Sequence, residues 1–153
     1  MAEINRKVFD VFGSIFLLSQ KLQYINDYEL GKIGLTTKQF LVLGAVDTAF
    51  ENPPTLNEVA MVLSTSRQNV KQLANQLEKK GFMELVSDPS DKRKVLLRTT
   101  EKNHAFWESH TEETMFFFRR LFGDLTNDEV EQLYLLLNKL MASFDKFYYE
   151  IRS

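Results

Sequence analysis

A mainly α-helical fold broken by one β-hairpin is what this sequence predicts, on three observations. Apolar residues recur at three- and four-residue steps over most of the chain, the period of an amphipathic helix. Thr36–Gln39, Thr55–Glu58 and Thr126–Glu129 each have the spacing of a capping box, in which hydroxyl and carboxamide or carboxylate satisfy the free N–H groups that open a helix. The period shortens to two only in "FMELVS" and "KVLLRT", on either side of "DPSDKR".

Each element follows from these signals. Ile4, Val8, Val11, Phe12, Ile15, Leu18, Leu22 and Ile25 form the stripe of a first helix of roughly 25 residues, which Gly31 and Gly34 end. Thr36 caps a second helix whose run Phe40–Val46 is apolar nearly all round and predicts burial. "ENPP" stops it, because proline cannot continue a helix. Thr55 opens a short third helix with Leu56, Val59, Ala60 and Leu63 inward. After the tight connection "STS" a fourth runs from about Ser66 to Lys80, with Lys79, Lys80 and Gly81 as its stop signal.

The hairpin follows, with Asp88 and Pro89 suited to the first two places of a type I turn. "TEKNHAFWESHTEETMFFFRRLF" resumes as one helix, Gly123 interrupts, and Thr126 caps the last. The predicted order is four helices, two strands and two helices.

Composition excludes several function classes. The 153 residues hold no cysteine, which removes thiol catalysis, thiol redox sensing and cysteine zinc sites. His104 and His110 are six apart, on different faces of one predicted helix among surface acids, and neither sits in a recognisable triad. No nucleophile elbow or phosphate loop occurs, so no enzyme and no cofactor is expected. The N-terminus lacks the pattern of a secretory leader and no run of about 18 apolar residues exists, so a cytoplasmic protein with no membrane span is expected.

Net charge is −2, yet residues 64–103 carry nine Lys or Arg against five acids. This basic middle in an acidic frame would meet an anionic partner first. Within it, two short helices, a three-residue turn and a hairpin make a winged helix-turn-helix. With Val70 at 0° and about 100° per residue, Ser66, Leu73, Ala74 and Leu77 fall on the packed side of the fourth helix. Gln68, Lys71, Gln72 and Asn75 fall opposite, with Thr65 and Asn69 flanking.

Amides on such a face match base edges in the major groove: Gln68, Asn69 and Gln72 can pair bidentately with adenine, and Arg67 or Lys71 can reach guanine or phosphate. Thr65 and Ser66 stand at the helix N-terminus, where free N–H groups favour a phosphate oxygen. No acid occurs from Ser64 to Gln76. At the hairpin tip Lys92, Arg93 and Lys94 suit a minor groove, with Asp91 holding Arg93 in one pose.

"LTTKQFLVLGAV", "PTLNEVAMVLSTSRQNVKQLANQLEKKGFMELV" and "DPSDKRKVLLRTTEKN" together resemble the MarR family of transcriptional regulators over nearly the whole chain. Asp88, Pro89, Asp91, Arg93, Val95, Leu97, Thr100 and Glu101 match the family's wing pattern, whereas Lys92 replaces an arginine and Thr99 a leucine. Leu85 and Val86 stand in the strand where the family often has arginine.

The resemblance implies an obligate homodimer on palindromic double-stranded DNA. Residues 1–34 with 101–153 would form an intertwined helical dimerisation region, and residues 35–100 the winged helix-turn-helix, in one compact chain. It further implies a repressor released by a small aromatic ligand, for which Phe12, Phe16, Phe40, Phe106 and Trp107 are candidate lining residues. Independently, Phe116, Phe117, Phe118, Leu121, Phe122, Leu133, Leu136, Leu137, Leu140, Phe144, Phe147 and Tyr148 exceed what a thin helical layer buries alone, which predicts a two-fold partner. The rival expectation is a winged-helix protein-interaction module that binds no DNA.

Overall fold

A computed structural model describes residues 5–153. Ile4 of the predicted first stripe lies outside the described residues. Contacts divide the chain into two compact units, one running to Ala105 and the other Phe106–Ser153.

In the first unit, α1 spans Arg6–Gly31 and opens on Asn5, whose side chain accepts from Lys7 N. Gly34 adopts φ 77°, a left-handed conformation natural to glycine, in the turn that leads to α2. α2 (Thr37–Thr48) and α3 (Leu56–Val62) open on the two capping boxes read from sequence, Thr36 with Gln39 and Thr55 with Glu58. α4 (Arg67–Lys79) opens on Ser66 and ends before Gly81 at φ 79°. Strands β1 (Met83–Ser87) and β2 (Val95–Thr99) pair antiparallel, from Met83 opposite Thr99 to Ser87 opposite Val95. Leu97 N donates to Pro54 O at 2.8 Å, which joins the hairpin to the segment before α3.

Every buried residue among those described lies between Leu35 and Asn103. Val42, Val59, Val70, Ala74, Leu77 and Leu97 are fully enclosed, so α2, α3, α4 and the hairpin share one core. The expectation of a wholly buried α2 is corrected at two positions. Phe40 and Leu41 are 36% and 48% exposed, because Val42, Leu43, Ala45 and Val46 already fill the inward side.

Between α3 and α4, Ser64 holds φ 52°, the left-handed region that costs a side-chain-bearing residue about 1 kcal/mol. The turn imposes it through bonds from Ser64 N to Met61 O and from Thr65 N to Ala60 O. Ser64→Gly relieves that strain, less glycine's greater entropy when unfolded. It should raise stability by about 0.5 kcal/mol, read as a higher urea midpoint at unchanged slope.

The predicted single helix from Thr100 to Phe122 is two helices. α5 covers Glu101–Ser109 and α6 covers Thr111–Phe122, with His110 between them at φ −107°, ψ 20°. Three consecutive side chains claim backbone carbonyls there: Ser109 Oγ donates to Phe106 O, Thr111 Oγ1 to Glu108 O, and His110 Nδ1 lies 2.8 Å from Phe106 O. Such local bonds compete with the helical ladder, so it breaks without Gly or Pro. His104 and His110 therefore do not share one helix. In the second unit Gly123 follows α6, and Thr126 with Glu129 caps α7 (Asn127–Arg152) as the sequence predicts.

Candidate nucleic-acid interface

α4 sorts its residues by side. Val70, Leu73, Ala74 and Leu77 are buried, while Arg67, Gln68, Lys71, Gln72 and Asn75 are exposed. Ser66, read from sequence as part of the packed side, is instead exposed and caps the helix by accepting from Asn69 N at 3.1 Å. Capping residues stand outside the helical register, which is why the angle projection misplaced it. Thr65 and Asn69 are half-buried and bonded to each other, Asn69 Nδ2 donating to Thr65 Oγ1 at 2.9 Å.

The far end of α4 is held as firmly. Thr100 Oγ1 donates to Gly81 O at 2.6 Å, and Lys102 Nζ to Lys80 O at 2.8 Å. A cation on the last carbonyls also complements the negative end of the helix dipole.

At the hairpin tip the turn closed by a backbone bond is Asp91–Lys94, Lys94 N donating to Asp91 O at 2.9 Å. Asp88 and Pro89, expected to occupy its first places, lie three residues earlier. There Asp88 Oδ1 accepts from the N–H and hydroxyl of Ser90, an Asx-type turn that competes with a type I turn at the same residues. Asp91 Oδ1 accepts from both Arg93 N (3.1 Å) and Arg93 Nε (3.2 Å). The Arg93 side chain is 91% exposed, so its tether restrains it without covering it. Lys92 and Lys94 are exposed too.

Glu78, Glu84, Asp88 and Asp91 are engaged by neighbours, while Arg67, Lys71, Lys92, Arg93 and Lys94 face outward. Glu84 pairs with Arg98 across the strands at 2.8 Å, and Glu78 accepts from Leu85 N. The Arg93 side chain, then its N–H, hold the Asp91 carboxyl below the usual carboxylate range. Ser90 does the same for Asp88. Both carboxylates therefore stay charged and bonded at neutral pH, their charge directed at neighbours rather than at an incoming polyanion.

A cavity of about 270 Å³ in the first unit is lined by Gln23 of α1, Thr37, Lys38 and Leu41 of α2, Leu63–Thr65, and Asn69 and Leu73 of α4. None of the five aromatics proposed from sequence is among these. Phe12 and Phe16 meet edge to face on the exposed side of α1, and Phe40 sits on α2. Phe106 and Trp107 belong to the second unit, where their rings meet edge to face. The cavity draws a few residues from each of several elements, so no local spacing announces it. Among the described residues no group of three or more His, Asp or Glu is arranged to hold a metal ion, and no helix is long and apolar enough to cross a membrane.

Comparison with known proteins agrees with this architecture. The MarR family model matches residues 33–94. The transcriptional activatory protein BadR of Rhodopseudomonas palustris is 32% identical over 110 residues, 70% of this chain, and the match spans 63% of BadR. The multiple antibiotic resistance protein MarR of Salmonella typhimurium is 30% identical over 141 residues, covering 92% of this chain and 96% of that protein. The crystal structure of a mutant Escherichia coli MarR complexed with operator DNA superposes with a TM-score of 0.72 at 28% identity, over 91% of this chain and 99% of that one. The family model and a relative 30% identical over 92% of this chain leave one conclusion: the chain belongs to the MarR family of transcriptional regulators.

Proposed function

We propose that this chain acts in the cytoplasm as a homodimeric, sequence-specific DNA-binding regulator. It sits on palindromic operators and represses by occupying them. The observation that carries this reading is the outward side of α4, where Gln68, Lys71, Gln72 and Asn75 present only amides and a cation opposite a buried apolar stripe. That surface can donate to and accept from base edges while repelling no phosphate.

In this reading α4 enters the major groove. Gln68, Asn69, Lys71 and Gln72 face bases, and Thr65, Ser66 and Arg67 face backbone. The wing residues Lys92, Arg93 and Lys94, with Asp91 as the tether, reach the minor groove. The likeness to a MarR solved with operator DNA supports it. The rival, an interaction module without DNA, calls for an apolar or acidic face on α4, which is not the face observed.

Release by a small aromatic ligand belongs to the same proposal. The cavity walled by Thr65 and Asn69 would give an occupant direct purchase on α4, and DNA affinity would fall by the ratio of its affinities for the two shapes.

Selection of bound sites from random duplex tests the whole reading. Two-fold symmetric winners with half-sites about one duplex turn, roughly 34 Å, apart are expected. Absence of any retained duplex at low salt overturns it. On the selected site, Gln72→Ala should lower specific affinity by about tenfold, the cost of one bidentate base contact, and leave random-duplex affinity unchanged. A uniform loss on every duplex would make Gln72 a backbone contact instead.

A further inference from the structure

Gln39 does more than close the capping box of α2. Its side-chain oxygen accepts from Thr36 N at 3.2 Å, as the box requires, and also from Lys80 Nζ at 3.3 Å. Its Nε2 donates to Gln76 Oε1 at 2.9 Å, and Lys80 Nζ donates in addition to Gly34 O. Gln39 is only 5% exposed. Gln76 lies in the last turn and a half of α4 and Lys80 caps its C-terminus, so these bonds tie the helix that carries Gln68, Lys71 and Gln72 to the opening of α2.

The polarity of the network follows from its ends. An ammonium and a backbone N–H can only donate, so Gln39 must turn its oxygen to Lys80 and Thr36 and its NH₂ to Gln76.

A capping role accounts for the bond to Thr36 alone. The other bonds restrain something apolar packing does not. Contacts along Val70, Leu73, Ala74 and Leu77 are non-directional and tolerate small rotations of α4 about its axis. Hydrogen bonds tolerate only about 0.5 Å in length. At a side-chain radius of about 5–6 Å that corresponds to a rotation of about 5°. Reading a base edge bidentately demands the same tolerance at the other face of the helix.

We propose that Gln39, acting through Gln76 and Lys80, is a positioning residue that fixes the rotation of α4 and thereby the sequence preference of its exposed amides. This rests on the DNA-binding reading above.

Affinities of the full chain for its best selected site and for random duplex test it. Gln76→Met breaks the Gln39–Gln76 bond, leaves the Lys80 bonds and spares the capping box, and should lower the ratio of specific to random affinity by about tenfold, with random-duplex affinity within about twofold of the original. Gln39→Met should do the same with some added loss of thermal stability. Gln39→Glu should keep the ratio, because a carboxylate still accepts from Thr36 and Lys80 while the Gln76 amide turns to donate. The double Met variant should be no worse than the worse single one, as expected of two residues in one linkage.

An unchanged ratio in Gln76→Met, an equal loss on both duplexes, or additive losses in the double variant each overturn the proposal. Additivity in particular would make Gln76 a direct DNA contact. Failure of the unaltered protein to prefer any duplex would instead bring down the DNA-binding reading itself, before any variant is compared.

Discussion

Arg93→Ala is expected to weaken binding to the selected operator by more than about tenfold, equivalent to about 1.4 kcal/mol, while leaving the fold and the dimer unchanged. The side chain is 91% exposed, so truncation opens no cavity. Its Nε–H is occupied by Asp91 Oδ1, which leaves the terminal nitrogens directed outward as a preset fork. An arginine whose pose is already restrained loses less side-chain freedom on entering a groove, and the narrow minor groove concentrates negative potential.

The proposed dimer would carry two such tips, so both contacts would vanish together and the dependence of binding on salt should flatten by about two counterions. Asp91→Ala should give a smaller loss, since the cation survives and only its restraint goes. Equilibrium titration over a salt series, with sedimentation to confirm the dimer, measures both variants. An unchanged affinity for Arg93→Ala removes the wing from the interface.

The parts of this molecule that could be read from sequence are those governed by neighbours. Thr36, Thr55 and Thr126 sit three residues from their capping partners, and all three boxes form. The buried stripe of α4 and the strands flanking "DPSDKR" follow from periodicity alone. What escaped depends on competition or on distance along the chain. At Ser109–Thr111 three side-chain bonds to carbonyls outcompete the helical ladder, and no breaker residue marks the place. Ser66 obeys cap geometry rather than helical phase. Gln39 is legible as a capping residue, but its bonds to Gln76 and Lys80 cross 37 and 41 positions, which no local pattern encodes.

Leu136→Asp is expected to abolish high-affinity operator binding by dissolving the dimer. All but three of the strongly exposed large hydrophobic residues, Phe40, Leu41 and Val62, lie on α1 or beyond Ala105, and α1, α6 and α7 bury none of their described residues. On α7, Leu133, Leu136, Leu140, Phe144 and Phe147 fall within a sector of about 80° at 100° per residue. Leu136 and Phe147, on that stripe, are each 65% exposed. An apolar surface of this extent is stable in water only when covered, and a second copy offers the same stripe in return.

A carboxylate at position 136 costs the isolated chain little, because the site is open to solvent there. In a two-fold interface it would bury two like charges without partners, at several kcal/mol. The dimer dissociation constant should therefore rise by more than about 100-fold. Operator affinity should fall by a comparable factor, because a monomer holds one half-site and forfeits the linked second one. Weak half-site binding should survive, since the winged unit is untouched, and unchanged helical circular dichroism separates loss of assembly from loss of fold. Phe147→Asp, three turns along the same side, should behave alike. If both variants remain dimeric at micromolar concentration, the α7 stripe is not the dimer interface. Pairing of the two winged units would then have to come from another surface, such as the exposed apolar side of α1.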